Sequence, residues 1–121
     1  MKKLRVLIVD DNEIFRDSLA TLLEYSGHDY EVAANGKEAL EKARDFRPDV
    51  MTLDIMMPGM NGFDVCRTLK SDPNLKHIYI IMLSAKDEDK DKNKAKACGA
   101  DEYHIKPFSP TEIRDMINKL A

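Results

Sequence analysis

The chain has 121 residues, which is the length of one domain, and its 19 basic and 22 acidic residues give a formal net charge of −3. With 43% hydrophobic and 34% charged residues, the composition is that of a globular protein. The weakly acidic balance, without a dense Lys/Arg run, argues against direct binding of nucleic acid. No stretch approaches the roughly 20 apolar residues that cross a bilayer, so membrane insertion is excluded. A single domain over residues 1–121 is expected.

The N-terminus and the two cysteines bear on the compartment. The apolar run from Val6 to Val9 is too short for the apolar region of a signal peptide, and this favours a cytoplasmic protein. Cys66 and Cys98 could form a disulfide. Because both fall in apolar helical patterns, and the chain shows no export signal, two reduced, buried thiols are expected instead.

Short apolar runs alternate with longer amphipathic stretches along the whole chain. In chain order the predicted elements are a strand at residues 4–9, a helix at about 12–25, a strand at 30–33, a helix from Asn35 to Pro48, a strand at 50–53, a helix over Phe63 to Leu69, a strand at 78–83, a charged helix that ends before Gly99, a strand at 102–105 and a helix from Ser109. Five β–α units with buried strands predict a parallel sheet with helices on both faces.

The helices carry recognisable start signals and apolar faces. Asn35 followed by Glu38 is typical of a capping box, and Ser109-Pro110 followed by Glu112 is a helix start. The first helix has its apolar residues at helical spacing: Ile14, Phe15, Leu19, Leu22 and Leu23. The last helix is expected to bury Ile113, Met116, Ile117 and Leu120, whereas the charged helix offers only Ala95, Ala97 and Cys98.

Acidic side chains stand where two predicted strands end. Asp10 and Asp11 follow the first strand, and Asp54 follows the third. Ligands of open α/β sheets bind beyond the carboxyl ends of the strands, so three carboxylates would converge if these strands are neighbours. Like charges at about 4 Å repel by on the order of 1 kcal/mol in water, and Mg²⁺ prefers such oxygen ligands. The alternative is a helix cap at Asp10 and Asp11 and a surface acid at Asp54, but all three at strand ends favour a cation site.

Two further polar residues end predicted strands. Lys106, before Pro107, follows the fifth strand, where its ammonium could reach an anion, although an exposed lysine is the ordinary interpretation. Ser84 ends the fourth strand, where its hydroxyl could donate to a phosphate oxygen. Taken alone, Ser84 is more simply a helix cap or a turn residue.

These residues together resemble the receiver domain of two-component response regulators. Asp10-Asp11 after Val-Leu-Ile-Val resembles the opening of that family, and the segment from Leu53 through Asp54 and Pro58 to Gly62 resembles its phosphoacceptor loop. Ser84-Ala85 and Lys106-Pro107-Phe108 complete the set over residues 4–120. The resemblance implies a flavodoxin-like, doubly wound α/β fold, with a five-stranded parallel sheet in the order 2-1-3-4-5.

The resemblance also implies roles for individual residues. Asp54 would be the nucleophile that accepts a phosphoryl group from a phosphohistidine of a sensor histidine kinase or a histidine phosphotransfer protein. Mg²⁺, with Mn²⁺ as a substitute, would be held by Asp10, Asp11, Asp54 and the backbone carbonyl of Met56. Lys106 would pair with phosphoryl oxygens through a cis bond to Pro107.

The same resemblance implies how a signal would leave the site. Ser84 would move towards the phosphoryl group and Tyr103 would turn inward, which changes the surface of the fourth helix, fifth strand and fifth helix on which a downstream protein docks. The chain would catalyse only its own phosphorylation and dephosphorylation. It is expected to be a stand-alone switch, with a receiver cut from a larger regulator or hybrid kinase as the alternative.

Other interpretations remain open from the residues alone. An aspartate-based phosphohydrolase usually has a second acid two residues after the nucleophile, where this chain has Met56. A flavin-binding module would need a phosphate loop where this chain has the acidic run Asp10 to Glu13. The methionines in or near the Asp54 segment (Met51, Met56, Met57 and Met60) could bind copper in principle, but packing is the favoured interpretation.

Overall fold

The computed structural model describes residues 2–84, 89–105 and 109–121. Strands and helices alternate through these residues, as the sequence predicts. In chain order they are β1 (Arg5–Val9), α1 (Glu13–Tyr25), β2 (Asp29–Ala33), α2 (Gly36–Phe46), β3 (Val50–Asp54), α3 (Gly62–Ser71), β4 (Tyr79–Ser84), α4 (Asp89–Cys98), β5 (Glu102–Ile105) and α5 (Pro110–Leu120).

The strands form one parallel sheet in the order β2-β1-β3-β4-β5, which confirms the predicted order. The chain reverses its direction of winding after β2, so β1 and β3 are neighbours at the centre of the sheet. Val9 of β1 is in register with Leu53 of β3. Residues that follow these two strands therefore emerge side by side at the carboxyl edge of the sheet.

Apolar side chains fill both faces of the sheet. One cluster packs α2, α3 and α4 against Leu7, Val9, Met51, Leu53, Ile80 and Met82. The other packs α1 and α5 against Val6, Ile8, Val50, Ile81 and Leu83. Because successive strand residues point to opposite faces, the central strands need apolar residues at almost every position, and this explains the unbroken apolar runs.

Side-chain caps fix where the helices begin. Asn35 Oδ1 accepts a hydrogen bond from the Glu38 amide at 2.9 Å, and Asn35 Nδ2 donates to Glu38 Oε2 at 3.0 Å. The predicted capping box is therefore confirmed. In the usual capping box the backbone amide of the first residue donates to the Glu side chain, whereas here the side-chain amide of Asn35 donates to it. Ser109 Oγ accepts from the Glu112 amide at 3.2 Å, which confirms the start of α5.

The helix faces differ from the apolar pattern of the sequence at three positions, and the expected burial of Leu120 is wrong. Ile14 in the first turn of α1 is 79% exposed, and Leu120 at the end of α5 is 37% exposed. Both residues lie in the terminal turn of a helix (Glu13–Tyr25 for α1 and Pro110–Leu120 for α5). Side chains at a helix end have neighbours on fewer sides than those at its middle. In α4, Ala97 is exposed, while Asp91 is only 4% exposed and shares the inward face with Ala95 and Cys98.

Both cysteines are free and buried between α3 and α4, as predicted. Cys66 Sγ lies 3.3 Å from the Cys98 carbonyl oxygen, to which its thiol donates. Burial raises the pKa of the Cys66 thiol, so it stays protonated and unreactive. Within the described ranges, no helix is both long enough and apolar enough to cross a membrane.

Candidate metal centre

Three carboxylates meet at the carboxyl edge of β1 and β3. Asp10, Asp11 and Asp54 each offer an oxygen, and these oxygens all lie within 4.8 Å of one another. Asp10 and Asp54 are 1% and 3% exposed, whereas Asp11 faces solvent. The acids that follow the two predicted strands therefore share one cavity with an open side.

Local backbone contacts set the position of Asp10. The Asp10 amide donates to the Ala33 carbonyl at 3.1 Å and continues the β1–β2 ladder past the end of the strand. Asp10 Oδ1 accepts from the Asn12 amide at 2.9 Å, and Asn12 in turn caps α1 through the Phe15 amide at 3.1 Å. The Arg16 guanidinium donates to the Asp10 carbonyl at 2.8 Å. The first turn of α1 thus holds this acid at the strand end.

Asp54 is the last residue of β3 and is in register with Leu83 of β4. Its Oδ1 lies 3.3 Å from the Met56 amide, which donates to it. The chain then folds back, since the Gly62 amide donates to the Ile55 carbonyl at 3.0 Å. This return packs the start of α3 against the backbone of Asp54.

The donor set fits a hard divalent cation. Two of the three carboxylates are buried, and buried charges need an opposite charge or strong hydrogen bonds. Carboxylate oxygens around an open position match the coordination of Mg²⁺, which keeps several waters. Asp10, Asp11 and Asp54 can therefore hold a metal ion such as Mg²⁺; the expected substitution by Mn²⁺ stays a prediction of the resemblance. The Met56 carbonyl, as a further ligand, stays a prediction of the resemblance.

The polar residues of the neighbouring strands lie at the same edge or on the adjoining face. Ser84 is the last residue of β4 and is fully buried. Tyr103 lies in β5 and is partly buried against the cluster of α2, α3 and α4. Lys106 and Pro107, with the predicted cis bond between them, lie outside the described residues, as do Ala85, Lys86 and Phe108.

Some residues that shape the site were not singled out from the sequence. Gly62 was only the last residue of the segment that resembles the phosphoacceptor loop, but a Cβ on Gly62 would stand 2.8 Å from the Asp54 carbonyl oxygen. Asn12 was only the start of a helix, although its amide binds Asp10. The spacing of Asn12 from the first apolar residues of α1 could have identified the cap. Of the methionines, Met51 and Met57 are buried as packing predicts, whereas Met56 and Met60 are exposed.

The chain is similar to a known protein family and to several of its members. A family model for the response regulator receiver domain matches residues 6–118. The chain is 42% identical over 109 residues to the DNA-binding response regulator MtrA of Mycobacterium tuberculosis, covering 90% of this chain and 46% of MtrA. It is 40% identical over 121 residues to the chemotaxis protein CheY of Thermotoga maritima, covering 97% of each.

Solved structures give the same result. The chemotaxis response regulator CheY4 of Vibrio cholerae superposes with a TM-score of 0.90 at 32% identity, over 99% of this chain and 100% of CheY4. The chain spans about half the length of MtrA, and 97% of the Thermotoga protein. The match over residues 6–118, with the parallel 2-1-3-4-5 sheet, shows that the chain belongs to the response regulator receiver domain family.

Proposed function

We propose that this receiver domain is a phosphorylation switch in two-component signalling, in which Asp54 accepts a phosphoryl group from a phosphohistidine of a histidine kinase or a histidine phosphotransfer protein. The observation that carries the proposal is the convergence of Asp54 with Asp10 and Asp11 within 4.8 Å. The match to the receiver family supports it. This sets the switch apart from an enzyme that turns over a separate substrate.

The proposed reaction uses Asp54 as the nucleophile. A carboxylate oxygen of Asp54 forms a bond to phosphorus while the bond from phosphorus to the histidine nitrogen breaks, and the imidazole leaves as a neutral group after it gains a proton. The Met56 amide, 3.3 Å from Asp54 Oδ1, fixes the orientation of the carboxylate. Transfer of this kind depends mainly on positioning and on stabilisation of charge.

Cations are needed because three carboxylates and a phosphoryl group carry negative charge in one cavity. Asp10, Asp11, Asp54 and the Met56 carbonyl would hold Mg²⁺, and Mg²⁺, when bound, supplies positive charge to the phosphoryl oxygens. The proposed role of Lys106 is to pair with a phosphoryl oxygen from the end of β5. The proposed role of Ser84 is to donate its hydroxyl to another oxygen.

The proposed relay runs from Ser84 to Tyr103. Met82 is in register with Tyr103 and Ser84 with Ile105, so Ser84 and Tyr103 occupy diagonal positions on neighbouring strands. Strand alternation places Ser84 on the same face as Met82, which packs in the cluster that Tyr103 borders. Movement of Ser84 towards a phosphoryl group would open space beneath Tyr103. The surface of α4, β5 and α5 would change, and a downstream protein would dock there.

The proposed phosphodonor would dock around the cavity. Three exposed large apolar side chains lie on elements of the carboxyl edge: Ile14 is 79% exposed, Met56 56% and Met60 38%. Exposed apolar side chains on the elements that surround a polar site are a surface that a protein partner could cover. A cytoplasmic location, which the buried, free cysteines suit, is part of the proposal. We also propose that this domain does not contact nucleic acid directly. MtrA is described as DNA-binding, but the match to this chain covers only 46% of MtrA.

The experiment is incubation with acetyl phosphate, a small phosphodonor, followed by intact mass measurement. We expect the mass of one phosphoryl group, which requires Mg²⁺ and disappears in Asp54→Asn. Asp45→Asn is the matched control, because Asp45 is an exposed helical acid outside the cavity. Labelling of Asp54→Asn to the wild-type level would contradict the proposal. Steady hydrolysis of a phosphate monoester by the wild type would favour the phosphohydrolase instead.

A further inference from the structure

We propose that Met56 is a site of reversible oxidation, at which a hydroperoxide forms methionine sulfoxide and thereby shortens the life of the phosphorylated state. The first half depends only on the exposure of the methionines. The second half rests on the proposed function of Asp54.

The methionines differ sharply in their access to solvent. Met56 is 56% exposed and Met60 is 38% exposed, whereas Met57 is 8% exposed and Met51 and Met82 are fully buried. Oxidation of a thioether needs contact between sulfur and the oxidant, so exposure ranks the expected rates. Met56 is expected to react first among the described methionines, well ahead of Met57, its direct neighbour in the chain.

The most exposed of these methionines stands beside the carboxylate that the proposed reaction uses. Its amide donates to Asp54 Oδ1 at 3.3 Å, so the Met56 backbone is in direct contact with the Asp54 side chain. Asp54 itself is 3% exposed, while Met56 opens to solvent. The exposed Met56 side chain therefore belongs to the residue whose backbone contacts the proposed phosphorylation site.

Oxidation makes the exposed Met56 side chain polar. A hydroperoxide transfers one oxygen atom to the Met56 sulfur; the sulfur is oxidised by two electrons, and the peroxide is reduced to the alcohol, or to water when it is hydrogen peroxide. The product is a polar group whose oxygen accepts hydrogen bonds, in place of an apolar thioether. Such an acceptor orders a water molecule near the phosphorus, and attack by water on an acyl phosphate ends the signal.

The first test is peptide mapping after limited hydrogen peroxide treatment of the folded, unphosphorylated chain. We expect one added oxygen atom on Met56 before Met60, and none on Met51 or Met82. Cys66 and Cys98 are expected to remain titratable as thiols after unfolding, because both are buried. Oxidation of Met56 no faster than that of Met51 and Met82 would overturn the site.

The second test measures loss of the phosphoryl group after removal of acetyl phosphate, with and without prior oxidation. A sulfoxide is a far weaker base than a catalytic carboxylate, so we expect an acceleration of about threefold rather than the 10²-fold of true general-base catalysis. Met56→Leu is expected to lose the response to peroxide, since it keeps an apolar side chain without sulfur. Met60→Leu is the matched control and is expected to keep the response.

Treatment with methionine sulfoxide reductases should restore the original rate. An unchanged rate in chains mapped as oxidised at Met56 would overturn the regulatory half. If untreated protein accepts no phosphoryl group at all, the proposed function fails and the regulatory half fails with it. The peptide map still decides, independently, whether Met56 is the oxidation site.

Discussion

Gly62 lies against the backbone of Asp54, so that a Cβ on Gly62 would stand 2.8 Å from the Asp54 carbonyl oxygen and 2.8 Å from the Cα of Ile55. The neighbouring atoms belong to the backbone, which cannot turn aside as a flexible side chain can. The start of α3 is therefore fitted directly to the strand end that carries the proposed nucleophile. This contact couples the packing of α3 to the position of the Asp54 carboxylate.

Gly62→Ala is expected to displace this strand end. Overpacking of this kind destabilises a protein by about 1–3 kcal/mol, and we expect slower labelling of Asp54 by acetyl phosphate besides. Urea unfolding and the labelling rate measure the two effects. Gly59→Ala is the control, since Gly59 has a φ of +77° but open space around its Cβ position. It should lose about 1 kcal/mol from left-handed strain alone and keep normal labelling. Normal labelling of Gly62→Ala would show that the contact does not position Asp54.

Asp11→Asn is expected to affect Mg²⁺ binding and metal-free stability in opposite directions. Removal of one ligand should weaken Mg²⁺ binding at least about tenfold, since even indirect partners of a metal contribute about that much. Without metal, the same change relieves repulsion from Asp10 and Asp54 and should raise the free energy of unfolding by up to about 1 kcal/mol.

Titration with Mg²⁺ and urea unfolding in a chelator measure these two effects of Asp11→Asn. Asp17→Asn is the control, because Asp17 is exposed on α1 outside the carboxylate cluster. We expect it to change Mg²⁺ affinity by less than about twofold, because salt screens exposed charges. Equal Mg²⁺ affinities in Asp11→Asn and the wild type would exclude Asp11 as a ligand.

Thr52→Val is expected to stabilise the domain. The hydroxyl of Thr52 is buried in β3, and in the described part of the chain it has no hydrogen-bond partner. Valine has nearly the same shape without the unsatisfied group, so the free energy of unfolding should rise by about 1 kcal/mol. Thr68→Val is the control, since the Thr68 hydroxyl donates to the Asp64 carbonyl at 2.9 Å, and it should give no gain. A loss of stability in Thr52→Val would mean that its hydroxyl has a partner.

Stability at high pH is expected to depend on Tyr79. Partial burial, and next the hydrogen bond from its hydroxyl to Glu102, raise the pKa of Tyr79 from 10.0 to about 12. The folded state thus keeps a proton that the unfolded chain releases. The resulting contribution to stability is complete below pH 10 and is lost as the pH rises towards about 12.

Tyr79→Phe should therefore lose less stability between these pH values than the wild type. Urea unfolding at several pH values measures this difference, and the ultraviolet absorbance of tyrosinate follows the ionisation directly. Tyr25, which is 87% exposed, offers Tyr25→Phe as the control, which should leave the pH dependence of stability unchanged. Identical pH profiles for Tyr79→Phe and the wild type would rule out the shifted ionisation.

The fold could be predicted from the sequence because strands that are buried on both faces need apolar residues at almost every position. These strands are therefore recognisable as short apolar runs. β4 (Tyr79–Ser84) is apolar at nearly every position, and helical spacing between such runs leaves few other topologies. The acids were found in the same way, since Asp10 and Asp54 directly follow or end recognisable strands. The order of the strands came from the resemblance to the family rather than from the pattern of residues.

The remaining features depend on contacts between distant segments. Ile14 fits the helical spacing of α1, but it lies in the first turn of the helix and is 79% exposed. Asp91 has the same spacing as Ala95 and Cys98, which could have identified it, yet a carboxylate is normally assigned to the outer face. Gly62 shows no special φ, and its need for a glycine appears only when α3 packs on Asp54.

The most direct test of the proposed function is to locate the phosphoryl group after labelling by acetyl phosphate in the presence of Mg²⁺. Mapping of the labelled peptides by mass spectrometry identifies the modified residue. We predict one phosphoryl group on Asp54, absent when Mg²⁺ is chelated. A phosphoryl group on any other residue, or full occupancy without a divalent cation, would contradict it.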